Sequence, residues 1–233
     1  MQCLRSRIIL PMNSRVPFRR VSVALACILG LPVTHAATWD WNNATALWSN
    51  SLAWTPNAVP LSANDTILKF GGTGAIGYTS TNDLAGNFSL RGIELNSTAT
   101  AEEVIATTSS GVLGFVSDGT TNPTVTQNGT GAFNLNLGIA AANPLTFSGS
   151  GTGVVTISGV LTGPGGLVFS GANWRLTNAA NNFTGGLTIN TGAFVELAPG
   201  AAINITPGAA TLVGSGNCST TVVDSIEPVP SCQ

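Results

Sequence analysis

From Leu135 onward the chain alternates apolar and polar residues in brief bursts. The apolar pairs are Leu135 and Leu137, Leu145 and Phe147, Val155 and Ile157, Leu167 and Phe169, Trp174 and Leu176, Leu187 and Ile189, Val195 and Leu197, and Ile203 and Ile205. A period of two marks a strand with one face buried. After Ala37 no stretch keeps the i, i+3, i+4, i+7 spacing of an amphipathic helix over three turns. Counting from Leu145, every second pair begins 22, 20 and then 16 residues after the last. Steps of that size suit units that cannot bury an apolar face alone and must stack on their neighbours.

The residues between the pairs fit frequent corners. Gly and Asn adopt positive φ at little cost, and Pro144, Pro164 and Pro199 fall where no ladder donor is lost. Each strand is then only a few residues long, and its inward side chains lie about 4.8 Å from like residues in the next strand. Asn173, Asn181, Asn182 and Asn190 suit either amide ladders along the stack or turn positions. The pattern predicts an all-β solenoid.

Two runs within this region carry a family resemblance. They are Gly163-Pro-Gly-Gly-Leu-Val-Phe-Ser-Gly-Ala-Asn and Asn182-Phe-Thr-Gly-Gly-Leu-Thr-Ile-Asn-Thr-Gly. Together they resemble one copy of the autotransporter-associated β-strand repeat, spanning 163–197, with Phe183 at the aromatic position and Phe169 where Lys is frequent. The resemblance implies a right-handed parallel β-helix in an exported bacterial passenger region. The block containing Thr38-Trp39-Asp40, Trp48, Trp54, Pro60, Asp65 and Phe70 resembles the start of secreted repeat proteins of this kind. Outer-membrane members carry a large C-terminal barrel, and the roughly 20 residues after Val213 are too few for one. The expectation is a released protein or a piece of a longer frame.

The expected organisation is a signal peptide at 1–36, a Trp-rich N-terminal cap at 37–70, a parallel β-helix at 71–213 and a tail at 214–233. Five of the eight Lys and Arg lie in the first twenty residues, followed by an apolar run from Val21 to Leu31 and small residues up to Ala36. That order reads as a secretory leader cut after Ala36, and the run is too short to span a bilayer. The true start is either Met1 or Met12. The mature chain is expected to be secreted or at the cell surface.

Removing the leader changes the chemistry. Lys69, Arg91 and Arg175 then face ten acids, a formal charge of −7. This balance argues against nucleic acid as a partner, and against an anionic membrane surface. The sole histidine, His35, leaves with the leader, so no imidazole remains for general base work or metal ligation. Of the four cysteines only Cys218 and Cys232 remain, either as a disulfide closing a small C-terminal loop or as free thiols.

Four tryptophans, Trp39, Trp41, Trp48 and Trp54, crowd into sixteen residues. They serve either as stacking surfaces for sugar rings or as the closure of the stack's first end. The alternation Trp39-Asp40-Trp41 suits one indole inward and one outward, or both held by bends. Asp40, Asp65, Asp83 and Asp118 are candidate acids for glycan cleavage or calcium binding, but such chemistry needs a paired constellation, and these are isolated in turn-rich sequence. Glu102 and Glu103 read as an exposed turn. No cofactor or catalytic residue is expected. The expected role is a non-enzymatic structural or adhesive surface module, with surface glycans or other cell-surface components as partners. The alternatives are a carbohydrate-binding module using Trp39 to Trp54 and, more weakly, a glycan-cleaving β-helix enzyme.

Overall fold

A computed structural model describes residues 37–108, 111–204 and 210–212. Among them the chain is all-β, with a single 3-10 turn at Ser51–Ala53 and no α-helix. No described helix is long and apolar enough to cross a membrane. The strands form a curled fourteen-stranded sheet and a six-stranded sheet, parallel throughout except for one pair.

Three ladders organise these strands. The first runs through Thr38–Trp41, Ile67–Phe70, Gly92–Leu95, Thr124–Gln127, the start of Leu145–Ile157, the start of Leu167–Leu176, Leu187–Ile189 and Ala210–Leu212. The second runs through Ala46–Leu47, Thr79–Asn82, Glu103–Thr107, Phe133–Asn136, the ends of the two long strands and Phe194–Leu197. The third, the six-stranded sheet, joins Phe88–Leu90, Val112–Phe115, Gly138–Ala141, Leu161–Gly163, Asn181–Phe183 and Ile203–Asn204. From Ile67 to Asn204 the chain visits the ladders in rotation. One strand from each makes a layer.

Register turns the alternation into a core. In the first ladder Trp39, Leu68, Ile93, Val125, Phe147 and Phe169 are successive partners, and all are buried. In the second, Ile105, Leu135, Ile157 and Leu176 form the equivalent buried column. Apolar burial of this kind contributes about 25 cal/mol per Å², and parallel pairing forces each side chain against the one a layer away.

The pairs starting at Leu145, Leu167 and Leu187 fall in one ladder, as the 22- and 20-residue steps require. The 16-residue step fails. Leu187 pairs with Ala210, and Ile203 joins Asn181 in the third ladder. Alanine carries little apolar signal, and the third ladder's polar Asn181 interrupts its pattern, so periodicity alone misses this ladder. The first ladder also crosses residue 70 without a break: Thr38–Trp41 pairs with Ile67–Phe70, which pairs with Gly92–Leu95.

Corners show where glycine is required. Gly149 and Gly171 have φ of 126° and 98°, and Gly171 stacks on Gly149 in the next layer. Asn181 is neither in an amide ladder nor in a simple turn. Its Oδ1 accepts from Leu161 N at 2.9 Å, while Nδ2 donates to Asn178 O at 2.8 Å and Ala202 O at 2.9 Å. Asn173 donates to Thr152 O at 3.1 Å.

Candidate functional site

The tryptophan segment comes first. Period-two geometry puts Trp39 and Trp41 on the same face with Asp40 exposed between them, correcting the reading in which one indole points outward. Trp48 and Trp54 are fully buried. Trp54 packs edge-on against Trp41 at 4.7 Å and against Trp48 at 5.6 Å, and Phe70 lies 5.9 Å from Trp54. Trp48 Nε1 donates to Ser80 Oγ at 2.7 Å, Trp54 Nε1 to Trp48 O at 3.1 Å and Trp41 Nε1 to Ala44 O at 3.0 Å. A sugar needs an open ring face, and these indoles face other protein groups. Trp54–Thr55 pairs antiparallel with Thr38–Trp41, covering an edge that would otherwise offer unpaired N–H and C=O groups.

The candidate acids are dispersed. Asp83 takes Ser49 N at 2.9 Å and Ser49 Oγ at 2.6 Å, linking two layers. Burial pulls its pKa up, but the Ser49 hydrogen bonds outweigh this and hold it below the usual aspartate value. Asp118 accepts from Thr120 N, Thr121 N and Thr120 Oγ1 at 2.9, 2.7 and 2.8 Å. These bonds, led by the Thr120 amide, lower its pKa. Asp40 is exposed, and Asp65 lies in the turn before Ile67. Among the described residues no cluster of three or more Asp, Glu, His or Cys side chains could hold a metal ion.

Among the described residues Lys69, Arg91 and Arg175 each meet an acid. Lys69 Nζ lies 3.2 Å from Glu94 Oε2, and Arg175 Nε lies 3.5 Å from Glu196 Oε1, both between direct register partners. Arg91 Nε lies 3.5 Å from Asp118 Oδ2. Cys218 and Cys232 lie outside the described residues.

Glu103 departs from the sequence reading. Glu102 is exposed as expected, but Glu103 is completely buried at the start of its strand. Its parity explains this, since Glu103 shares its phase with the inward Ile105. Ser97 and Tyr78 are buried at this corner: Ser97 Oγ donates to Glu103 Oε1 at 2.6 Å and Tyr78 Oη donates to Gly71 O at 2.7 Å; Gln127, also buried, donates its Nε2 to Gly131 O and Gly153 O. Strand phase was the signal that would have found Glu103.

Comparison of the chain with protein-family models, with curated proteins and with solved structures finds no match.

Proposed function

We propose that the chain is an exported, non-enzymatic structural or adhesive surface module, built as a right-handed parallel β-helix like that of autotransporter passengers. One observation carries the reading: the three described cations and four of the described acids are engaged in bonds within the stack. Lys69 with Glu94, Arg91 with Asp118, Arg175 with Glu196 and Asp83 with Ser49 are all bonds within the stack. Right-handedness is favoured because parallel strands joined by a crossover almost always connect in that sense. The eight strands of the first ladder, about 4.8 Å apart, would make a stiff body roughly 35 Å tall.

The outward positions of the first ladder include Thr124, Thr126, Thr146, Ser148 and Ser170. Hydroxyls both donate and accept, so this face suits many weak polar contacts with a surface. Export rests on the leader-like order of residues 1–36, and passenger likeness on the repeat at 163–197.

The test is to incubate the purified chain with intact bacterial cells and with a panel of envelope polysaccharides, measuring both retention and reducing-end release. Saturable retention without turnover is expected. Glycan cleavage that disappears in Asp83→Asn or Asp118→Asn would overturn the reading.

A further inference from the structure

The inner column of the second ladder passes from Glu103 to Phe133, Val155, Trp174 and Val195. The carboxyl thus heads an otherwise apolar column, with Phe133 its register partner in the next layer and Tyr78 just before the strand of the preceding one. Oε1 contacts Ser97 Oγ at 2.6 Å, and Oε2 is buried without a hydrogen-bond partner. Space for the carboxyl exists because residue 72 is glycine: a Cβ there would lie 2.3 Å from Oε1. The groups that bear on it are Tyr78, a phenol, Glu102, an acid, and the uncharged Ser97 and Phe133. The three described cations are each paired elsewhere.

We propose that Glu103 is a proton-operated lock on the corner from Ser97 to Glu103, closed when the side chain is a neutral acid and loosened when it ionises. The neutral acid uses the same 2.6 Å contact in reverse, donating its proton to Ser97 Oγ. Ser97 then turns its own hydrogen to Gly72 O, 3.4 Å away. Ionisation removes that arrangement and leaves a charged, buried Oε2 without a hydrogen-bond partner, a costly state. Burial is accordingly the main cause raising the Glu103 pKa above the ordinary glutamate value; Ser97 works against it and Glu102 with it. A folded-state pKa above the unfolded one gives stability that is complete below the unfolded value and lost as pH rises through the folded value.

The experiment is urea unfolding of the full chain from pH 4 to 9, for wild type and Glu103→Gln, with the carbon-13 shift of the Glu103 carboxyl followed in parallel. The wild-type unfolding constant should rise by up to tenfold per pH unit across the titration of one proton. Glu103→Gln should be flat over that window, and the carboxyl should titrate above the ordinary glutamate range. An equal rise in Glu103→Gln overturns the proposal. So does a carboxyl titrating at or below the ordinary range, a reading that stands even where the variant fails to fold. Suppression of the rise by sodium or calcium, relative to choline, would make Glu103 a cation ligand and also overturn it.

Discussion

Phe147 and Phe169 lie face to face, with ring centroids 4.7 Å apart and planes 10° from parallel. Near-parallel stacking at this centroid distance is within the range aromatic pairs favour, and the ladder sets the spacing. Direct register partners in adjacent parallel strands stand one strand spacing apart, and equal side chains on equal backbone superimpose. Trp174 closes the pair edge-on, 5.1 Å from Phe147 and 6.0 Å from Phe169.

Truncating either ring should therefore be felt strongly. Phe169→Ala is expected to cost about 3–5 kcal/mol, and Phe169→Leu clearly less, because leucine refills most of the volume. Chemical denaturation of the two variants beside wild type measures both values. Equal costs would mean that ring stacking on Phe147 decides the energy and volume does not.

Two glycines are expected to resist substitution to different degrees, for separate reasons. A Cβ on Gly159 would sit 1.7 Å from Leu137 O in the preceding layer, whereas one on Gly74 would meet nothing within 4 Å. Gly74 has φ of 85°, so Gly74→Ala carries only backbone strain, about 1 kcal/mol. Gly159→Ala must separate two layers and is expected to cost about 3 kcal/mol. Melting temperatures of the pair check the order.

Asn181 joins three backbone groups, two of them in the neighbouring layers. Asn181→Leu keeps the volume and leaves Leu161 N and Ala202 O without this partner. Each orphaned buried group costs about 1–3 kcal/mol. Amide exchange should rise at Leu161 ahead of residues in the first ladder. Unchanged protection there would refute the bridging role.

Asp83 and Glu103 set opposite limbs of the pH profile. Burial raises Asp83, but its Ser49 bonds win and depress its folded pKa, so its contribution is present above the ordinary aspartate value and fades as pH falls through the depressed one. Ser49→Ala loses the hydroxyl bond but keeps the Ser49 N–H bond, so it should move the Asp83 titration upward and shrink this acid limb, leaving the Glu103 limb at higher pH intact. Carboxyl NMR titration of the variant reads both effects.

The sequence by itself determined that the chain is built of short strands with one face buried. Leu145-x-Phe147 and Leu167-x-Phe169 carry that information locally, because strand parity depends only on which residues alternate. Their 22-residue separation even placed them in one ladder. Only the tertiary structure decided what stands across from what. Ile203 lies opposite Asn181 and not Leu187, and of the four tryptophans that suited a sugar platform, Trp41, Trp48 and Trp54 are packed against Phe70 while Trp39 is buried in the first ladder. Glu103, charged and beside a second acid, looks solvated along the chain, yet its parity with Ile105 turns it inward. The physical reason is range: alternation is set by neighbours two residues apart, whereas burial and partners are set by residues about twenty to thirty positions away that the fold brings within one strand spacing.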